Sequence, residues 1–148
     1  MSITVRQIEP RDKTSWQELY LAYLKFYDTE PIESGVALVW QRLTGETEIQ
    51  GLVAEFDGAV VGIAHFHYQL STWSDTFNCY LEDLYVSEEA RGKGAATVLI
   101  AEVKKLAMEQ ECSELFWITK GSNALARKLY DKVAVASDFV RYEIKLED

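Results

Sequence analysis

Residues 80–96 constrain the fold of this chain more than any other stretch, because an apolar strand-like run leads through a glycine-bearing turn into an apolar helix. The first N–H groups of a helix have no partner within it, and the helix dipole is positive there, so bare backbone can hold a diphosphate. Four small residues leave this backbone accessible: Gly92, Gly94, Ala95 and Ala96. Two cations, Arg91 and Lys93, lie beside them in the sequence. The stretch therefore predicts a strand, a diphosphate-binding turn and a helix in succession.

Two common phosphate-binding loops do not match this turn. A P-loop requires Gly, four residues and then Gly-Lys-Ser/Thr, and a dinucleotide fingerprint requires a third glycine with an acidic residue about twenty positions later. Gly92 and Gly94 satisfy neither pattern. Arg91, Gly94 and Ala96 instead follow the order Arg or Gln, two residues, Gly, one residue, then Gly or Ala. This order resembles the signature of the GNAT superfamily of N-acetyltransferases.

Length and charge limit the classes of protein to consider. At 148 residues the chain is expected to form one domain, residues 1–148. No apolar run approaches the roughly 18 residues of a membrane span, and residues 1–6 lack the features of a signal peptide, so we expect a cytoplasmic protein with no membrane partner. The formal net charge of -9 argues against a nucleic-acid partner, which needs clustered Lys and Arg, and favours a cationic small molecule.

The spacing of apolar residues predicts an α/β fold. Alternating or continuous apolar runs predict strands, and apolar residues at intervals of three and four predict helices. The Asp57-Gly58 turn predicts a hairpin between the second and third strands. Predicted strands cover 3–8, 52–56, 60–68, 77–86, 115–119 and 139–146, and predicted helices begin near residues 14, 34, 95 and 123. Strands separated by helices predict a mixed sheet covered by helices on both faces.

The order of elements, the turn at residues 91–96 and the segment 123–130 together resemble a GNAT domain over nearly the whole chain. The resemblance implies a mostly antiparallel sheet of six or seven strands, acetyl-CoA as co-substrate, and a homodimer. Residues 80–86 resemble the diamine acetyltransferases that act on spermidine and spermine, whereas residues 130–142 resemble a branch that contains histone, polyamine and amino-acid acetyltransferases. The implied reaction is direct transfer of acetyl to a primary amine within a ternary complex.

Acetyl transfer to an amine needs a neutral nitrogen, a polarised carbonyl and a proton for the leaving thiolate. Glu82 matches the acid proposed as general base in the diamine enzymes. Tyr130 matches the tyrosine that protonates the sulfur, and a phenol with an ordinary pKa of about 10 keeps its proton at pH 7. The resemblance also implies cofactor contacts from Asn123 and from the backbone of Leu84, Tyr85 and Val86, in addition to residues 91–96. Tyr130 could alternatively be a packed core aromatic.

The acceptor is predicted to be a small cationic amine, because carboxylates and aromatic faces suit an alkylammonium. The candidate acceptor-binding residues are Tyr27, Asp28, Glu30, Trp73 and Asp83. Since side chains alternate along a strand, Asp83 is expected on the opposite face from the base, as an ammonium anchor or as a structural partner of Lys or Arg. An amino acid or a protein amine remains an alternative acceptor, and a non-catalytic acyl-CoA sensor remains an alternative function.

Histidine and cysteine spacing predicts no metal site. His65 and His67 share one strand face, but no third ligand at a suitable spacing accompanies them. Ordinary packed or half-exposed histidines are therefore the expectation. Cys79 and Cys112 are predicted to be free thiols.

Overall fold

The computed structural model of the protein describes residues 2–147, which divide into two compact units, one ending at Ile118 and one beginning at Thr119. Each unit is described by itself. The first contains five strands and three α-helices, with short 3-10 turns at Pro10–Asp12 and Glu88–Ala90. In chain order its elements are β1 Thr4–Gln7, α1 Lys13–Phe26, α2 Glu33–Thr44, β2 Gln50–Phe56, β3 Ala59–Leu70, β4 Phe77–Val86, α3 Ala95–Glu109 and β5 Glu114–Phe116. The second contains α4, Ala124–Val133.

The sheet has the order β1-β2-β3-β4-β5. The first four strands pair antiparallel with their neighbours and β5 pairs parallel with β4, so the predicted mixed, mostly antiparallel sheet is confirmed. The sheet has five strands rather than six or seven. The expected strand at 139–146 is missing: residues 134–147 contain no strand. A strand exists only where a neighbouring backbone hydrogen-bonds with it, and no described strand pairs with this segment.

Helices cover both faces of the sheet within the first unit, as predicted. On one face, residues of α1 and α2 pack on β2 and β3 to form a buried cluster: Trp16, Leu19, Val36, Leu43, Val53 and Ile63. On the other face α3 approaches β3 at Gly62, where an added Cβ would lie 3.2 Å from Leu99 Cδ1. Glycine is needed there because a larger residue would push the helix off the sheet.

The hairpin between β2 and β3 forms at the predicted turn. Asp57 and Gly58 both have positive φ, 55° and 79°, which is the combination that joins two twisted strands through a two-residue loop. No helix among residues 2–147 has the length and apolar character needed to cross a bilayer.

Helix α4 of the second unit begins directly after Asn123. The Asn123 side chain accepts a hydrogen bond from the Ala126 N–H at 3.4 Å, which satisfies one of the free N–H groups of the first turn. The predicted helix is therefore confirmed, with Asn123 as its N-cap rather than as its first residue.

Candidate functional site

A β-bulge in β4 organises the polar residues at the middle of the sheet. His65 of β3 pairs with Asp83, and the next residue, Phe66, pairs with Leu81, so Glu82 is one extra residue on β4. A bulge interrupts the alternation of side chains along its strand. The expectation that Glu82 and Asp83 lie on opposite faces is consequently wrong.

Both carboxylates instead meet the same face of β3. Asp83 Oδ2 lies 2.9 Å from His65 Nδ1, and Glu82 Oε1 lies 3.4 Å from His67 Nε2. His65 and His67 are two residues apart on an unbulged stretch of strand and share one face, as predicted. Asp83 is largely covered, with 19% of its side chain exposed, whereas half of the Glu82 side chain is exposed. The site therefore has an enclosed carboxylate beside an accessible one.

A hydrogen-bond chain leads from α1 through His65 to Asp83. The indole N–H of Trp16 donates to His65 Nε2 at 2.9 Å, so Nε2 carries a lone pair. In a neutral imidazole the proton must then be on Nδ1, which donates it to Asp83 Oδ2 at 2.9 Å. His65 and Trp16 are both buried, so this chain is shielded from water.

Two tyrosines of α1 complete the surroundings of the carboxylates. Burial raises the pKa of Tyr23, and so does the charge of the neighbouring Asp83. The Tyr23 phenol therefore stays protonated beside this carboxylate. Burial also raises the pKa of Tyr20, with further contributions from the charges of Asp83 and Glu82. Asp83 thus accepts a hydrogen bond from His65 of β3 and lies beside the tyrosines of α1.

Aromatic rings extend from this carboxylate to the end of α1. The centroid of Tyr23 lies 6.2 Å from Tyr20, 5.2 Å from Tyr27 and 6.1 Å from Tyr85. Aromatic faces attract cations within about 6 Å of the ring centre. A half-buried carboxylate beside this row of rings is an arrangement suited to an alkylammonium.

The other predicted acceptor-binding residues are more dispersed. Asp28 and Glu30 follow the C-terminus of α1 and are exposed, and Asp28 has a φ of 53°. Trp73 lies in the connection between β3 and β4 and is 85% exposed. Tyr27 continues the row of rings, with its centroid 5.2 Å from that of Tyr23, whereas Trp73 belongs to a separate connection.

The edge of β4 that faces β5 is open over its second half. β5 pairs with β4 only as far as Tyr80 and Phe116. Leu84, Tyr85 and Val86 pair with β3 on their other edge, and no described strand pairs with them on the β5 side. An unpaired strand edge presents backbone groups that a ligand could bind, and the predicted cofactor contacts of residues 84–86 lie on this stretch.

The turn after β4 has the backbone of an anion cradle. Gly92 and Gly94 have φ of 84° and 87°, and a Cβ added to either would meet nothing within 4 Å. The first helical hydrogen bond of α3 runs from Val98 N–H to Gly94 C=O, so the preceding N–H groups at Ala95 and Ala96 make no bond of this kind. These features fit the phosphates of a coenzyme, because bare backbone donors face open space.

The two cations of this turn fold back over the loop. Arg91 Nε donates to Val86 C=O at 3.2 Å, and its guanidinium lies 5.5 Å from the Tyr85 ring centre. Lys93 Nζ donates to Glu89 C=O at 3.3 Å. Both residues are exposed, so their charges remain available to an anion at the loop.

In the second unit, Asn123 caps α4 and also donates to Thr119 Oγ1 at 3.4 Å. Its side chain thus has a structural role besides the predicted one. Tyr130 lies in the middle of α4 and is half-buried.

Sequence reasoning missed the residues that support Asp83. Trp16, Tyr20 and Tyr23 recur at helical spacing, which is typical of a packed helix face and does not by itself distinguish them from ordinary core residues. His65 was visible as a polar residue inside an apolar strand, a position where burial requires hydrogen-bond partners. That signal could have identified His65.

The chain matches one protein family over most of its length and is similar to characterised acetyltransferases. Residues 13–134 match the model of the Acetyltransferase (GNAT) family. The D-amino-acid N-acetyltransferase HPA3 of Saccharomyces cerevisiae is 34% identical over 145 residues, which cover 95% of this chain and 89% of that protein. The thialysine N-epsilon-acetyltransferase of Bos taurus is 37% identical over 84 residues, which cover 57% of this chain and 48% of that protein.

Solved structures show the same fold at low sequence identity. A ribosomal-protein-alanine N-acetyltransferase from Brucella melitensis biovar Abortus 2308 superposes with a TM-score of 0.83 at 23% identity, covering 98% of this chain and 100% of that one. The aminoglycoside N-acetyltransferase AAC(6')-Iy in complex with CoA superposes with a TM-score of 0.80 at 20% identity, covering 97% and 95%.

Proposed function

Because the chain belongs to the acetyltransferase (GNAT) family and is an N-acetyltransferase, we propose that it transfers acetyl from acetyl-CoA to a primary amine of a small cationic acceptor such as a polyamine or diamine. The single observation that carries this proposal is the bulge, which presents Glu82 and Asp83 on one face beside the tyrosines of α1. Two carboxylates with aromatic neighbours attract an ammonium more strongly than either group alone.

The charges around the carboxylates favour an acceptor without a carboxylate of its own. Within the unit that ends at Ile118, the ion-pair partners of Glu82 and Asp83 are His67 and His65 rather than Lys or Arg. An amino acid bound here by its ammonium would bring its carboxylate close to two like charges, which costs binding energy. A diamine brings a second cation instead.

The proposed reaction uses three side chains: Glu82 as base, Asp83 as anchor and Tyr130 as acid. Glu82, the more exposed carboxylate, takes a proton from the acceptor ammonium, directly or through water, and leaves a neutral nucleophilic nitrogen. Asp83 holds a cationic part of the acceptor. The nitrogen forms an amide with the acetyl carbon as the carbon–sulfur bond breaks. Tyr130 gives its proton to the thiolate that leaves and regains one, directly or through water, from the newly acylated nitrogen, which becomes the neutral amide. The roles of Glu82 and Tyr130 rest on the family resemblance.

The cofactor is proposed to lie along the open edge of β4 and over the turn before α3. Backbone N–H groups near Leu84, Tyr85 and Val86 would hold its acyl arm and polarise the thioester carbonyl. The backbone at 91–96 would hold the diphosphate, with Arg91 and Lys93 adding charge, and Asn123 would contact the arm. Acetyl-CoA supplies the activated acetyl group.

An amino-acid acceptor is the second candidate, because the yeast relative that aligns over nearly the whole chain is a D-amino-acid N-acetyltransferase. A thiol-release screen with acetyl-CoA separates the two. The panel contains spermidine, spermine, 1,3-diaminopropane, thialysine, D- and L-amino acids and a lysine peptide, with heat-denatured protein as control. We expect the diamines and polyamines to rank first. A panel in which they fail while D-amino acids turn over would refute the cationic acceptor.

We also propose a homodimer formed through the segment at 140–146. Its sequence alternates between Val140, Tyr142, Ile144 and Leu146, all strongly exposed, and Arg141, Glu143 and Lys145, so that a strand formed here would carry the apolar residues on one face. Pairing with the sheet edge of a second copy of the chain would form that strand and cover its apolar face.

Light scattering with size exclusion tests the dimer. Ile144→Asp should shift the protein from dimer to monomer, because it puts a charge on the apolar face. Arg141→Ala, on the opposite face, should leave the dimer intact. A wild-type protein that is monomeric at all concentrations, or an I144D variant that remains dimeric, would contradict this interface.

A further inference from the structure

We propose that His65 is a positioning residue for the acceptor site: the Trp16 indole holds its imidazole in the Nδ1–H tautomer, and that N–H fixes the Asp83 carboxylate toward the acceptor cation. The inference rests on the proposed function, because it needs Asp83 to receive a cation. It adds two residues, Trp16 and His65, that touch neither the acceptor nor the cofactor and act through Asp83.

The geometry supports one tautomer only. Trp16 Nε1 is a donor and cannot accept, and it lies 2.9 Å from His65 Nε2, so a proton on Nε2 would clash with the indole proton between the two nitrogens. The chain of donors therefore runs in one direction, from indole to imidazole to carboxylate. Free imidazole has no such constraint, which makes the tautomer a property of this site.

The burial of His65 indicates that its hydrogen bonds do more than fill space. A buried histidine needs partners for both nitrogens, and a leucine would fill the same space without any. Instead His65 joins a helix to the bulged strand at the residue where side-chain alternation breaks. Asp83, held by the His65 N–H, keeps one orientation while part of it remains exposed. A fixed carboxylate binds a cation with less loss of side-chain entropy.

The imidazole of His65 is faced by side chains from α1 and β4 and by a glycine of β2. Trp16 and Tyr20 face it from α1, with the Tyr20 ring centre 5.6 Å away, and Asp83 faces it from β4. On the β2 side its strand partner is Gly51, which carries no charge. The only anion in direct hydrogen-bond contact with the imidazole is thus the one it orients, among the residues of this unit.

Nitrogen NMR of protein labelled with ¹⁵N-histidine tests the tautomer directly. The chain has two histidines, so the spectrum is simple, and His67→Gln assigns the remaining signals to His65. At pH 8 we expect a protonated Nδ1 and an unprotonated Nε2 in the wild type. Trp16→Phe removes the indole N–H and should allow the Nε2–H form to appear. A wild-type His65 with a protonated Nε2 would overturn the proposal.

Steady-state kinetics test the link to Asp83, with the amine that releases thiol fastest in the screen above as acceptor. His65→Leu should raise the acceptor KM about 10- to 100-fold, the loss expected for a hydrogen bond to a charged group, and leave the acetyl-CoA KM unchanged. His65→Asn keeps an N–H close to the Nδ1 position and should recover most of that loss. Melting temperatures of both variants show whether they fold.

A double-mutant cycle separates this inference from the proposed function. If His65 acts through Asp83, His65→Leu should have no further effect on the acceptor KM in an Asp83→Asn background. If D83N alone leaves the acceptor KM unchanged, the anchoring role of Asp83 fails. If D83N raises it but H65L does not, or if the two effects are additive, the positioning role of His65 fails while the proposed function stands.

Discussion

Replacing Gly94 by alanine tests the diphosphate cradle, and Gly58→Ala is its matched control. Both glycines have positive φ, 87° and 79°, and at both positions an added Cβ meets nothing within 4 Å. The only cost to the fold is therefore the left-handed conformation of an L-residue, about 1–2 kcal/mol. For a chain of this size that corresponds to a fall in Tm of roughly 2–8 °C. The two variants should lose stability to a similar extent.

They should differ in the binding of CoA. Gly94 immediately precedes α3, so its added methyl would point into the space before the first N–H groups of that helix. Gly58 lies in the β2–β3 turn. Losing one hydrogen bond to a charged phosphate costs about 1.5–3 kcal/mol, or about 10- to 100-fold in Kd. Gly94→Glu adds an anion and should abolish binding.

Isothermal calorimetry gives the Kd of each variant for CoA. Thermal melting without ligand gives its Tm. We expect G58A to bind CoA like the wild type, and G94A to bind it at least about tenfold more weakly at a comparable Tm. If G94A and G58A bind CoA equally well, the phosphates do not lie against Gly94. The assignment of residues 91–96 would then be wrong.

Three further predictions follow from the site and the sheet. Tyr130→Phe should lower kcat by about 10²-fold or more while CoA affinity stays nearly unchanged, and a wild-type kcat would remove Tyr130 from the mechanism. Glu82→Gln should lower kcat by about 10²- to 10⁴-fold, with partial recovery at high pH where more acceptor is neutral; Glu88→Gln, on the exposed turn, is the control. Burial raises the pKa of Tyr68 to about 12. As the pH rises, the phenol therefore loses its proton in the unfolded chain first, near pH 10, and the free energy of unfolding should fall between about pH 10 and 12. Denaturant unfolding of Tyr68→Phe should show a smaller fall, and an equal fall in both proteins would contradict this origin.

The sequence predicted the elements whose pattern is local. The range 77–86 predicted for β4 agrees with the structure at both ends, because an apolar run is bounded there by polar residues and by the turn. Helix α3 was predicted from its first residue, Ala95, because a glycine precedes a run of apolar residues at helical spacing. The tail at 139–146 alternates as regularly as β4 but forms no strand, since strand formation depends on a partner that the pattern does not supply.

The site was predictable as a list of residues but not as an arrangement. Glu82 was predicted from its match to the diamine enzymes, and Asp83 and Tyr27 were predicted because carboxylates and aromatic rings suit an alkylammonium. Their relative positions depended on a single inserted residue, which reverses every face after it. Trp73 was grouped with them because it is aromatic, and the structure shows it as an exposed residue of the β3–β4 connection.

The bulge itself follows from burial energetics. With strict alternation Asp83 would share a face with Leu81, which is buried opposite Phe66 on the side covered by α3. Burying an unpaired carboxylate there would cost several kcal/mol, whereas a bulge forfeits about one ladder hydrogen bond, a net cost of roughly 1 kcal/mol. With the extra residue, Leu81 is buried in the core and both carboxylates lie on the face that carries His65. The bulge thus also places the two carboxylates together, as the proposed acceptor site requires. An Asp83→Leu variant would remove both the polar side chain that disfavours regular pairing and the proposed anchor.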